Sequence, residues 1–135
     1  MLGEMIGESD SKKVASRVLP SRSYGPIIET IGQGHGKLLG FEVSDIFTYS
    51  TVTTEEGILY GKGRGINMTE EGDALKYITS RMGKLKDNGP ADRFQGVVYY
   101  FALSPKFSRL DGTACIFESE TDENGNSHTN IWKRK

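Results

Sequence analysis

Along most of this chain apolar side chains alternate with polar ones rather than recurring every three or four residues, and turn-forming clusters interrupt the alternation at regular distances. Alternation is the mark of strands, whose successive side chains point to opposite faces. The clearest turns are TTEEG at Thr53 to Gly57, TEEGD at Thr69 to Asp73, DNGPAD at Asp87 to Asp92 and DENGN at Asp122 to Asn126. Glycine, or Asn-Gly, supplies there the positive φ angles that tight hairpins require. Thr-Glu-Glu-Gly at Thr54 returns at Thr69, one strand and one turn later, which is the rhythm of a meander. Reading strands between the turns predicts eight, at 12–19, 26–33, 37–52, 57–68, 73–86, 93–103, 112–121 and 127–134.

Short links make sequential strands antiparallel, and no strong helical segment is available to cover a sheet. Eight such strands remove their edges by closing, so the fold predicted is an all-β, up-and-down, eight-stranded antiparallel barrel. A two-sheet sandwich is the alternative that the same turns permit. The chain of 135 residues reads as one domain, with residues 1–10 as a loose leading segment and a short helical turn in SPKFSRL, Ser104 to Leu110.

Two glycine tracts complicate the strand pattern: GQGHGK from Gly32 to Lys37, and YGKGRG from Tyr60 to Gly65. Phosphate-binding loops place glycines between a strand and a helix as G-x-G-x-x-G or G-x-x-x-x-G-K-S/T, and neither pattern occurs here. Period two instead puts Gly61, Gly63 and Gly65 on one strand face, where glycine serves sharp coiling or the close approach of another group. Gly32, Gly34 and Gly36 behave alike at a strand junction.

Seventeen bases against eighteen acids give a net charge of −1, so no overall field favours nucleic acid or an anionic membrane. No apolar run reaches the roughly 20 residues of a spanning helix. A single Cys115 forms no intrachain disulfide, and MLGEMIGES lacks the basic start and apolar run of a secretion signal, which fits a cytoplasmic protein.

The segments GKLLGFEVSDIFTYS, GILYGKGRGINMTEEGD and GVVYYFALSPKFSRLDGTACIFESETDENGN, with Trp132, resemble a family of short archaeal and bacterial proteins of uncharacterised function. The resemblance runs from about Arg17 to the end. In turn rhythm the chain is also similar to allene oxide cyclase-like barrels of the calycin type. These likenesses imply an eight-stranded barrel with an apolar interior and carry over no catalytic residue. Where that family ends W-E-W-K this chain has Trp132-Lys133-Arg134-Lys135, so no role for an acid there transfers.

Candidate chemistry centres on carboxylates that interrupt apolar faces. The odd positions Leu39, Phe41, Val43, Asp45, Phe47 and Tyr49 form one such face, and Ile27, Glu29 and Ile31 repeat the device. An acid in apolar surroundings must be protonated, paired or lifted to the rim, and inside a cavity it can anchor a ligand or move a proton. A structural ion pair is the plainer role for each. Arg64 could pair with Asp45 or Glu29, or fork onto a ligand carboxylate, if its face turns inward; on a glycine-flanked strand a solvated base is the commoner case. Tyr49 and Tyr100 offer rings with hydroxyl handles for a cavity wall, against plain core packing. Cys115 in an apolar strand reads as an inert thiol, and His35 and His128 are too few for a zinc site. Neither a metal nor a cofactor is expected.

Three functions follow from this set: binding of a small, largely apolar ligand in the barrel, which the absence of a nucleophile or matched acid and base favours; an isomerase or cyclase acting on such a molecule; or a structural protein with a filled interior. FQGVVYYFAL, Phe94 to Leu103, is apolar on both faces. Its odd face of Val97, Tyr99, Phe101 and Leu103 therefore predicts a homo-oligomer.

Overall fold

The computed structural model describes residues 2–21, 25–54, 56–84 and 93–134. Eight antiparallel strands close into a barrel in sequence order: β1 (Leu2–Leu19), β2 (Ile27–Leu38), β3 (Phe41–Thr53), β4 (Ile58–Met68), β5 (Ala74–Lys84), β6 (Arg93–Ala102), β7 (Ala114–Thr121) and β8 (Asn126–Arg134). The closing pair joins β1 to β8, with Ser9 opposite Thr129 and Leu2 opposite Arg134. Among the described residues the one helix is a 3-10 helix at Pro105–Leu110, within the segment where a helical turn was expected. No helix among them is long and apolar enough to cross a membrane.

Two sequence expectations change. Residues 2–10 are not a loose segment but the first half of β1, paired on one side with β8 and, from Gly7, on the other with β2. Ile6 is buried in the core there, and the polar run Glu8-Ser9-Asp10-Ser11-Lys12 shows little apolar alternation because its inward Ser9 and Ser11 meet a polar interior. The second change is at the β2–β3 boundary. The glycine tract lies inside β2, and the chain reverses at Leu39 and Gly40, both with positive φ (53° and 83°), a two-residue turn. Leucine at a left-handed position is rare, which is why the reversal was hidden in an apolar run.

Three other hairpins share one chemistry. In each a threonine or aspartate begins the turn and a glycine with φ near 80–90° ends it: Gly57 (79°), Gly72 (93°) and Gly125 (82°). The amides of Gly57, Gly72 and Gly125 donate to the carbonyls of Thr54, Thr69 and Asp122. The DNGPAD turn lies outside the described residues.

The inward face of the barrel comprises the even positions of β2 and β6 and the odd positions of β3, β4, β5, β7 and β8. At the end carrying the 3-10 helix this face is apolar. Phe107 and Leu110 from the helix pack with Leu38, Leu75, Tyr100 and Cys115, and Phe41 meets Phe107 edge-on at 6.0 Å. Burial pushes the Cys115 thiol pKa up, in keeping with an inert thiol. Toward the other end hydroxyls take over, and they pair across strands: Ser119 with Thr129 at 2.8 Å, Thr121 with Ser127 at 2.7 Å and Ser16 with Thr30 at 3.2 Å.

Candidate functional site

Both glycine tracts face inward and flank β3. A Cβ at Gly32 would strike the Phe47 ring, and one at Gly65 the Tyr77 ring; one at Gly63 would come within 2.8 Å of Thr79 and 3.0 Å of Tyr49. The missing side chains leave floor space over which neighbouring rings lie. This is the close approach that period-two glycines imply. Between the apolar end and the hydroxyl-lined end remains a cavity of about 170 Å³.

Asp45 sits in the wall of this cavity, between Gly34 on β2 and Asn67 on β4, and is 8% exposed. The Tyr77 hydroxyl reaches across Gly65 and donates to Asp45 Oδ1 at 2.7 Å. Burial pushes the Asp45 pKa up to about 6, with the Tyr77 hydrogen bond pulling the other way. The Tyr77 phenol is itself held above its ordinary range by burial and then by the neighbouring carboxylate. Tyr100 stands edge-on to Tyr77 at 6.1 Å, and burial raises its pKa as well. A carboxyl that titrates near neutrality beside a phenol can hold or pass a proton.

Nearer the hydroxyl end, Tyr49 stacks on Phe47, with ring centres 5.9 Å apart and planes 16° from parallel. Arg81 lies over Tyr49, its guanidinium carbon 3.7 Å from the ring centre, with Phe94 at 4.2 Å as a second ring. One Nη donates to Thr51 Oγ1 at 2.8 Å, while the buried Nε finds no acceptor. Burial lowers the Arg81 pKa, and Tyr49 works in the opposite direction.

Of the residues singled out in the sequence, Asp45, Tyr49 and Tyr100 come together on this wall. Glu29 does not: it is on the outer face of β2 and pairs with Arg17 at 2.8 Å. Ile27, Glu29 and Ile31 read as an inward face, but Thr30 and the glycines of the opposite parity hold that place, and Ile31 is exposed. Arg64 is likewise on the exposed face of β4, bordering the cavity and an outer groove with Ile46, Ile66 and Ile78, because the glycines take the inward positions. It pairs with neither Asp45 nor Glu29 within ion-pair distance among the described residues. Tyr77, Arg81, Asn67 and Thr79 were not foreseen. In ALKYITSRMGK both faces mix apolar and polar residues, so alternation selects neither.

No protein-family model and no curated protein matches the sequence. The fold is similar to solved structures across nearly the whole chain. A protein of unknown function from Clostridium acetobutylicum ATCC 824 superposes with a TM-score of 0.83 at 12% identity, covering 98% of both chains. A conserved protein of unknown function from Rhodopseudomonas palustris gives 0.77 at 9% identity over 98% of this chain and 97% of that one. A beta-barrel like protein from Acinetobacter baumannii AYE gives 0.76 at 14% identity, over 98% and 94%. At these identities the likeness concerns the fold alone. An uncharacterised bacterial barrel is the kind of protein the chain resembles, and none of the three descriptions mentions a calycin or an allene oxide cyclase.

Proposed function

We propose that the chain binds one small organic molecule in the barrel interior, with the Asp45 and Tyr77 pair fixing a polar group and Tyr49 and Tyr100 contributing wall. The observation that carries this reading is the cavity of about 170 Å³ bounded by a buried carboxyl. An engineered apolar cavity of about 150 Å³ admits benzene, so the space suits a single ring with one small substituent rather than a drug-sized ligand. Val98, Phe117 and Ile131 provide an apolar side, and Thr79, Ser119 and Thr129 a hydroxyl side. A filled structural barrel leaves no such space. Benzyl alcohol, titrated to millimolar concentration and followed by amide NMR shifts, is expected to move Thr79, Val98 and Phe117. Thr79→Phe, which puts a ring into the cavity, is expected to abolish those shifts. Interior amides that stay still in the wild type would sink the reading.

A second reading, an isomerase or cyclase using the same pocket, is favoured by the Asp45 carboxyl poised at about 6, where a general acid or base works best near neutral pH. Under it, Asp45→Asn abolishes turnover of a bound substrate while leaving binding intact.

A further inference from the structure

We infer that the molecule held in the barrel carries an anionic group, a carboxylate, received by Arg81, and so belongs to the small aromatic or branched aliphatic monocarboxylates. The inference rests on the binding reading above, moves the ligand's polar group from the Asp45 and Tyr77 pair to Arg81, and names the ligand class for it. Arginine keeps its charge at any pH a protein tolerates, and a charge taken from water is expensive unless an opposite charge and well-formed hydrogen bonds repay it. Arg81 projects from the inward face of β5, largely buried. Among the described residues no carboxylate lies within ion-pair distance of it. Its neighbours are neutral: the rings of Tyr49 and Phe94 beside the guanidinium and the Thr51 hydroxyl at one Nη. Ring stacking attracts the cation without engaging its in-plane N–H donors; Thr51 accepts from one Nη and Tyr49 gives a further hydrogen bond, while Nε has no acceptor. Stacking also holds the fork in one plane, the preorganisation that bidentate carboxylate recognition needs.

Of the charged side chains that border the cavity, Glu8, Lys12, Lys37 and Arg64 stand at outward-facing positions and Lys13 is exposed, so Arg81 and Asp45 are the charges held in the interior itself. Asp45 does not compete for Arg81. It stands four residues before Tyr49 on β3, about 13 Å along the backbone, its carboxyl is engaged by Tyr77, and no ion pair joins it to Arg81 among the described residues. A ring-sized acid therefore fits with its carboxylate at Arg81 and its apolar body toward Val98 and Phe117.

Parallel NMR titrations with sodium benzoate and with benzyl alcohol, its uncharged counterpart, separate the two readings. Benzoate is expected to bind the wild type about tenfold or more tightly than the alcohol, shifting amides around Arg81 and Tyr49. Arg81→Met, which keeps the stem over the rings, is expected to remove that advantage, so that benzoate binds no more tightly than the alcohol; Arg81→Lys, tested in case the methionine variant fails to fold, is expected to retain part of it. Equal affinity of both probes for the wild type, or benzoate affinity unchanged in either folded variant, overturns the carboxylate assignment while the binding reading stands. Failure of both probes to move interior amides overturns the two together.

Discussion

Asp45 holds its proton more tightly in the barrel than in an unfolded chain, because burial raises its pKa from 3.8 to about 6. Between those values the folded state binds more protons than the unfolded one, so stability falls as pH rises. The protonated carboxyl's advantage is complete below pH 3.8 and gone above about pH 6. At 1.36 kcal/mol per unit the difference is roughly 3 kcal/mol. Asp45→Asn keeps an acceptor for the Tyr77 hydroxyl without the charge. Urea unfolding of that variant is expected to lose the decline between pH 4 and 6 and to exceed the wild type at pH 8 by roughly 2–3 kcal/mol. A variant with the wild-type slope would show that another group carries it. Asp45 could be read from sequence because its face is otherwise apolar for several residues in either direction. Glu29 presented the same local pattern and faces outward, since the side of β2 that lines the interior consists largely of glycines, which carry no hydropathy signal.

The elements differ in how plainly they announce themselves. Thr-x-x-Gly and Asp-x-x-Gly turns gave away three hairpins, because only a residue tolerant of positive φ can end them. β1 was harder. A strand running between two others with its inner side in a hydroxyl-lined space needs no apolar stripe, and its first half therefore resembled a tail. It is instead the stave that closes the barrel: Glu8 stands opposite Lys37 on β2 and Asn130 on β8. Glu8→Pro removes an amide from that ladder and places a rigid ring between two neighbours. It is expected to lower stability by about 3 kcal/mol or more, read as the urea midpoint. An unchanged midpoint would restore the loose-segment view. β5 hides its site residues for a different reason: Leu75, Tyr77, Thr79 and Arg81 face inward, yet Ile78 and Met82, more apolar than Thr79 and Arg81, point to solvent.

At the scale of the molecule the outer wall is unusually apolar along β3 to β6. Tyr99 is 43% exposed whereas Tyr100 beside it is 1% exposed, and Phe101, Ile78 and Ile46 are exposed on the same side as Tyr99. The 3-10 helix packs into the barrel end, so no described element covers this surface. We propose that a second copy does. Light scattering at micromolar concentration is expected to give a multiple of 14.9 kDa, reduced to that single mass by Tyr99→Glu, while Tyr100→Glu disrupts the fold itself. A wild type already at 14.9 kDa would refute the proposal. Closure through Leu2 and Arg134 also governs when the molecule can exist. Of the barrel's strands β1 is made before the others and β8 after them, so β1 waits for its partner. Until then seven strands have two raw edges, each able to pair with a neighbour on the same message. Contacts this distant in sequence form slowly. An unclosed barrel is therefore open to misassembly until the β7–β8 hairpin is in place.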